Sequence, residues 1–142
     1  MSDEPTTVAL VCVQNAGRSQ MATAYAERER DARDLTDAVE ILSGGTHPAE
    51  SVHDVVLEAM HEAGFDLSDR TPAEITESEL EACDYVATMG CSTLELDADT
   101  DVRDWDLEDP HGRELETVHE IREDVKARVE ALFDEIEAGR EE

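Results

Sequence analysis

The chain has 142 residues, 39% hydrophobic and only 4% aromatic, which suits one folded unit with an aliphatic core. Its 38 acidic residues against 11 basic ones give a formal net charge of −27, and Lys126 is the only lysine, so nucleic-acid binding is disfavoured. Because the apolar residues stay periodic, this acidity does not indicate disorder, and it favours a protein that works in concentrated salt.

The cellular setting is predicted from what the sequence lacks. No apolar run approaches a membrane span, and the first residues, Met1-Ser2-Asp3-Glu4, are acidic where a signal peptide is basic. Three cysteines, an odd number, indicate free thiols in a reducing compartment. The five histidines show no metal-ligand spacing. We expect a protein of the cytoplasm, such as the salt-rich cytoplasm of a halophile. We expect no bound cofactor and no membrane partner.

Strands and helices alternate along the predicted chain after a polar tail at residues 1–5. The predicted strands are 6–12, 38–42, 84–89 and 102–105. The predicted helices are 18–33, one that follows Pro48 and closes at Gly64, a short one from Thr76 to about 82, and one from about 113 to 138 that ends at Gly139. This alternation predicts an α/β fold, a single doubly wound domain over residues 1–142 with a parallel sheet and helices on both faces.

The most informative stretch, residues 12–19, follows the first strand. Cys12, Arg18 and Ser19 lie between an apolar strand and an Ala-rich helix. Loop N–H groups and a helix N-terminus form an anion cradle, and Arg18 can add a bidentate clamp. The same positive field favours a nucleophilic thiolate at Cys12, to which Ser19 can donate a hydrogen bond.

Two loop residues suit the tight backbone that such a cradle needs. Asn15 tolerates a left-handed conformation, and Gly17 adopts one without steric cost. The alternative is a purely structural role, with Cys12 buried in the core and Arg18 on the surface. The strand before the loop and the helix after it favour the functional interpretation.

These segments together resemble the low-molecular-weight protein tyrosine phosphatase superfamily, which includes arsenate reductases of the same fold. The resemblance covers roughly residues 7–137. It is carried by the loop at 12–19 and by three further motifs, Ser43-Gly44-Gly45-Thr46-His47-Pro48-Ala49, Gly64-Phe65-Asp66-Leu67-Ser68 and Asp109-Pro110.

The resemblance implies both a sheet and a set of roles. The four-stranded parallel sheet would have the order 2-1-3-4. Cys12 would be the nucleophile, Arg18 the oxyanion clamp and Asp109 the general acid. The substrate cradle would be the loop Val13, Gln14, Asn15, Ala16, Gly17, Arg18 and Ser19.

Several residues favour the reductase branch of that superfamily. Gln20 stands where phosphatases usually carry Pro, and Thr88-Met89-Gly90-Cys91 and Asp104-Trp105-Asp106-Leu107 also resemble reductases. His111-Gly112 follow Asp109-Pro110, where phosphatases carry tyrosines. We therefore expect an arsenate reductase. The alternatives are a phosphatase that hydrolyses a phospho-cysteine at Cys12 and, from another class, a non-catalytic oxyanion-binding or redox-sensing protein.

The resolving thiol of this mechanism is predicted from the positions of the cysteines. Gln14 and Gly17 depart from the usual loop, and Ala98 stands where thioredoxin-coupled reductases carry a third cysteine. Cys83 lies about 26 Å from Cys91 along the third strand, too far for a disulfide, so we interpret it as structural. Cys91, at the strand end beside the Cys12 loop, is the candidate. The external reductant would be thioredoxin, glutaredoxin or a small thiol.

Overall fold

Four parallel strands form the sheet in the computed structural model, which describes residues 5–12, 15–45, 48–89, 101–105, 107 and 113–140. The order β2-β1-β3-β4 confirms the predicted 2-1-3-4. The strands are β1 (Thr6–Cys12), β2 (Val39–Gly45), β3 (Tyr85–Met89) and β4 (Asp101–Trp105).

The central strand β1 is covered on both faces, as its nearly unbroken apolar run predicts. Val8, Leu10 and Cys12 belong to the larger core cluster, whereas Ala9 and Val11 belong to the smaller cluster on the opposite face. All five are buried. Because side chains alternate along a strand, this pattern leaves Cys12 on the larger core's face at the strand's end.

The helices cover the two faces of the sheet unequally. They are α1 (Arg18–Ala32), α2 (Asp54–Glu62), α3 (Glu77–Glu81) and α4 (Leu115–Arg140). Residues of α1, α2 and α4 share the larger core, and the short α3 packs Leu80 into the smaller one. In the described part of the chain no helix is both long and apolar enough to cross a membrane.

The helix ends agree with the predicted caps in two of three places. Gly64 has φ of 94° just after α2, the left-handed conformation expected of a residue that closes a helix. Thr76 and Glu79 form the predicted capping box of α3. The prediction that Gly139 ends the last helix is wrong, because α4 continues to Arg140. A glycine in a final, fraying turn costs little helix stability.

Strand β2 is longer than predicted. Residues 43–45, which lie beyond the predicted strand 38–42, continue the strand and pair with Leu10, Val11 and Cys12 of β1. Gly44 permits a close approach, because a Cβ placed on it would lie 2.4 Å from Cβ of Ile75. Residue 74 forms a parallel bridge with Gly45. Segment 73–75 therefore lies directly against the end of β2, next to the Cys12 loop.

Candidate active site

The end of β1 and the start of α1 hold the predicted site. Cys12 is the last residue of β1, and α1 begins at Arg18, with the N–H of Met21 bonded to the carbonyl of Gly17. The loop between them is tied from outside by the amide of His53, which donates to the carbonyl of Ala16 at 2.9 Å. The positive end of the α1 dipole is therefore directed at the region of the Cys12 thiol.

The thiol of Cys12 has a hydroxyl partner. Its Sγ lies 2.9 Å from Oγ of Ser19, and both side chains are buried. This contact confirms the proximity that we predicted for Cys12 and Ser19. A hydroxyl that donates to sulfur stabilises the thiolate, which is the nucleophilic form.

Asn15 is the centre of the surrounding hydrogen bonds. Its φ of 51° confirms the predicted left-handed conformation, whereas Gly17 has φ of −142° and does not adopt it. Nδ2 of Asn15 donates to Oγ of Ser19 at 2.7 Å and to Oγ of Ser43 at 2.9 Å. Its Oδ1 accepts from the backbone N–H of Ala73 at 3.0 Å. The left-handed residue thus connects the Cys12 loop, β2 and segment 73–75.

These partners leave the Ser19 hydroxyl able to donate to the sulfur of Cys12. The amide N–H of Ala73 can only donate, so the Asn15 carboxamide must present its oxygen there and its nitrogen to the two hydroxyls. Ser19 Oγ therefore accepts from Asn15. Its own hydrogen remains available for the sulfur of Cys12, which is the arrangement that a thiolate requires.

Arg18 connects the Cys12 loop to the segment after β4. Its Nη1 donates to the carbonyl oxygen of Leu107 at 3.1 Å, and its side chain is half-buried. The clamp predicted from the sequence is therefore located beside the loop, at the start of α1. The candidate residues Val13, Gln14, Cys91 and Asp109 lie outside the described residues, as do His111 and Gly112.

The structure adds three residues that the sequence analysis did not assign to the site. Ser43 and Ala73 bond to Asn15, and Gln20, noted only as a branch marker, donates to it as well. Ser43 lies in a motif that we had noted, so its position could have suggested a role. Ala73 acts through its backbone, which leaves no signal in the sequence.

The second described cysteine is far from this chemistry. Cys83 is buried before β3, and its Sγ donates to the carbonyl of Glu79 at 3.3 Å. Burial, followed by the nearby Asp84 and Glu40 carboxylates, raises the pKa of the Cys83 thiol to about 11. Such a thiol is unreactive near neutral pH, in agreement with the structural role predicted for it. Among the described residues no cluster of three His, Cys, Asp or Glu side chains could hold a metal ion.

A parallel sheet of order 2-1-3-4, with a cysteine at the end of β1 and an arginine at the start of α1, defines a class. The chain belongs to the low molecular weight phosphotyrosine protein phosphatase family, whose model matches residues 7–142. This match confirms the resemblance drawn from the motifs.

Individual relatives are more specific. A Halobacterium salinarum protein, named provisionally as an arsenate reductase, is 67% identical over 135 residues, covering 94% of this chain and 95% of its own length. The glutaredoxin arsenate reductase of Synechocystis is 32% identical over 133 residues, covering 91% and 97%. The solved thioredoxin-dependent arsenate reductase of Corynebacterium glutamicum superposes with a TM-score of 0.79 at 32% identity. It covers 98% of this chain, which spans 65% of that longer protein.

Proposed function

We propose that this chain is a thiol-dependent arsenate reductase with Cys12 as its nucleophile. The observation that carries the proposal is the Ser19 hydroxyl, which lies 2.9 Å from the Cys12 sulfur while its oxygen accepts from Asn15. A buried structural cysteine would not need that arrangement. The similarity to three proteins named as arsenate reductases supports arsenate as the oxyanion.

The first step forms a bond between sulfur and arsenic. The Cys12 thiolate attacks arsenate that is held by the backbone N–H groups of residues 13–18 and by the Arg18 guanidinium. The bond between arsenic and one hydroxyl group breaks, and the departing hydroxyl takes a proton from Asp109 and leaves as water. The role of Asp109 rests on the resemblance of Asp109-Pro110 to the general-acid motif of the family.

The second step transfers the electrons. A second thiolate attacks the Cys12 sulfur, a disulfide forms, and the sulfur–arsenic bond breaks with its electron pair remaining on arsenic, which leaves as arsenite. An external dithiol then reduces the disulfide and is itself oxidised. The relatives named for thioredoxin and glutaredoxin support a reductant of that class.

Cys91 is our candidate for the second thiol inside the protein. The register places Val11 of β1 opposite Thr88 of β3, so both strands finish at the same edge of the sheet. Cys91 follows the last residue of β3 by two positions. If it resolves the intermediate, oxidised protein contains a Cys12–Cys91 disulfide. A small thiol or a protein thiol that attacks Cys12 directly is the alternative.

A phosphatase is the second candidate function. The family description favours it, because an oxyanion cradle with a cysteine nucleophile also transfers phosphate to sulfur and then to water. Paired assays in molar KCl distinguish the two functions: arsenate with thioredoxin, glutaredoxin or a small thiol, and an aryl phosphate without thiol. We expect arsenite only from the first assay. Hydrolysis of the aryl phosphate alone would favour the phosphatase, and turnover of neither would favour the oxyanion sensor.

Matched cysteine variants test the two thiol roles. We expect Cys12→Ser to lose turnover and to keep oxyanion binding, because a hydroxyl is a far weaker nucleophile. Cys91→Ser is expected to stop after one arsenate, and Cys83→Ala to turn over normally. Peptide mapping after alkylation would detect the Cys12–Cys91 disulfide. Normal turnover of Cys91→Ser with a small thiol would remove Cys91 from the mechanism.

Asp109→Asn tests the general acid. We expect single-turnover formation of the arsenic–sulfur intermediate to slow by roughly 10²–10⁴-fold, the usual contribution of general acid catalysis, with little change in oxyanion affinity. An unchanged rate would show that the role lies elsewhere, and Asp104→Asn and Asp106→Asn would then be measured.

A further inference from the structure

Gln20 contacts one residue twice. Its side-chain Nε2 donates to the backbone carbonyl of Asn15 at 2.9 Å and to Oδ1 of the same residue at 3.1 Å. Gln20 is only 3% exposed and is the third residue of α1. A buried carboxamide is costly unless its bonds are made, so the paired contact is specific and is not a by-product of packing.

The two contacts fix the shape of Asn15. One acceptor belongs to its main chain and the other to its side chain, so a single donor group ties the left-handed backbone to the carboxamide orientation. That orientation presents the Asn15 nitrogen to Ser19 Oγ, which leaves the Ser19 hydrogen available to the Cys12 sulfur. Gln20 lies at the start of a chain of bonds that ends at the Cys12 sulfur.

We propose that Gln20 is a positioning residue for the nucleophile, acting through Asn15 and Ser19 to keep a hydrogen-bond donor on the Cys12 thiolate. Gln20 needs no contact with the oxyanion for this role. The inference rests on Cys12 being the proposed nucleophile, and it is independent of which oxyanion the protein uses.

The test measures the reactivity of Cys12 directly. Each cysteine is alkylated with iodoacetamide in molar KCl, and the rate at Cys12 is read by peptide mass spectrometry near pH 7 and near pH 10. Gln20→Met keeps the length of the side chain and removes the donor. We expect the neutral rate to fall about five-fold relative to the high-pH rate, the scale of one lost hydrogen bond. The high-pH rate is the reference and is expected to stay unchanged.

Two further variants serve as controls. Gln20→Pro removes the same donor with a side chain of different shape, and proline is tolerated in the first turn of a helix. We expect it to lower the neutral rate relative to the high-pH rate by the same factor. Thr23→Val removes a buried hydroxyl one turn later, which donates to the carbonyl of Ser19 at 2.6 Å and does not reach Asn15. We expect this variant to leave the ratio of the two rates unchanged.

A double-mutant cycle tests the route through Asn15. In an Asn15→Ala background, Gln20→Met is expected to have no further effect on the ratio, because the Asn15 carboxamide that connects Gln20 to Ser19 is gone. An equal effect in both backgrounds would overturn the proposal, as would an unchanged ratio in folded Gln20→Met and Gln20→Pro proteins. An equal fall of both rates would also overturn the proposal, because it would indicate that iodoacetamide reaches Cys12 less easily. Failure of the wild type to reduce arsenate would contradict the proposed function and leave this alkylation result standing.

Discussion

Each polar side chain around Cys12 is restricted to one hydrogen-bonding role. Asn15 uses both N–H groups on hydroxyls and its oxygen on N–H donors, which leaves it no alternative orientation. Ser19 then has one free hydrogen and one nearby acceptor, the sulfur. Because Cys12, Asn15 and Ser19 are buried, the loss of one of these bonds leaves a buried polar group without its partner, which is costly.

Ser19→Ala is the variant that tests the last bond of this chain. We expect alkylation of Cys12 near pH 7 to slow by about ten-fold or more, since hydrogen bonds to charged groups contribute about 1.5–3 kcal/mol. The rate near pH 10 is expected to remain unchanged. Ser68→Ala is the control, because Ser68 is exposed and bonds only locally to Asp66. Equal neutral rates in the wild type and Ser19→Ala would show that the 2.9 Å contact does not stabilise a thiolate.

Cys83 gives a pH dependence of stability that can be isolated. Because burial raises its pKa from 9.0 to about 11, the folded protein keeps the proton in a range where the unfolded chain has lost it. The stabilisation is therefore complete below about pH 9 and is lost as the pH rises towards 11. Urea unfolding across this range is expected to show a shallower decline for Cys83→Ala than for the wild type. Parallel declines would contradict the buried, protonated thiol.

At the scale of elements, the end of β2 determines where segment 73–75 lies relative to the Cys12 loop. Gly44 pairs with Val11 of β1 and has the Ile75 side chain directly above its Cα. This close approach brings the amide of Ala73 to the carboxamide of Asn15. Packing therefore requires a glycine here, whereas the backbone conformation does not, because Gly44 lies within a regular strand.

Gly44→Ala is expected to destabilise the fold by about 1–3 kcal/mol, the usual cost of forcing extra atoms into a packed site. The added Cβ would lie 2.4 Å from Cβ and 2.8 Å from Cγ2 of Ile75, so segment 73–75 must move away. Gly139→Ala is the matched control, since a Cβ there meets nothing within 4 Å. Urea denaturation of both variants would check this, and equal stabilities would show that the segment yields without cost.

The sequence predicted the elements better than their junctions. Strand β1 was predicted with its observed bounds, because an apolar run bounded by a polar tail and a loop is a local signal. The extension of β2 through Gly45 was missed, since glycines usually mark turns and only the distant Ile75 shows why they are here. Prediction from local sequence fails where the residue type is required by contact with a residue distant in the sequence.

The same distinction applies to the site. Cys12, Arg18 and Ser19 could be predicted because strand, loop and helix are consecutive in the chain. The contribution of Ala73 could not, because a backbone amide brought in by segment 73–75 has no residue preference. Gln20 was noticed only for its difference from proline. Its two bonds to Asn15 depend on where the carbonyl and the carboxamide of Asn15 lie, which no pattern in the sequence specifies.

For the whole molecule, the few cations are shared among many carboxylates. Arg33, at the end of α1, contacts Glu29 on its own helix and Asp134 and Glu137 on α4. One guanidinium therefore neutralises part of a three-carboxylate cluster and links two helices. With 38 acidic and 11 basic residues, a large excess of negative charge remains. The carboxylates therefore repel one another, and they also repel an anionic substrate.

This excess predicts an unusual response to salt. At about 1 M KCl the Debye length is roughly 3 Å, so repulsion across the surface is screened, while buried contacts at hydrogen-bond distance are affected less. We expect both the melting temperature and kcat/KM for arsenate to rise from dilute to molar KCl, whereas a protein that attracts its anion with a positive field would slow. In a double variant, Glu116→Gln with Glu120→Gln, two exposed charges on α4 are removed, and the rise in melting temperature should be smaller. A melting temperature that stays flat or falls with KCl would contradict the adaptation to concentrated salt.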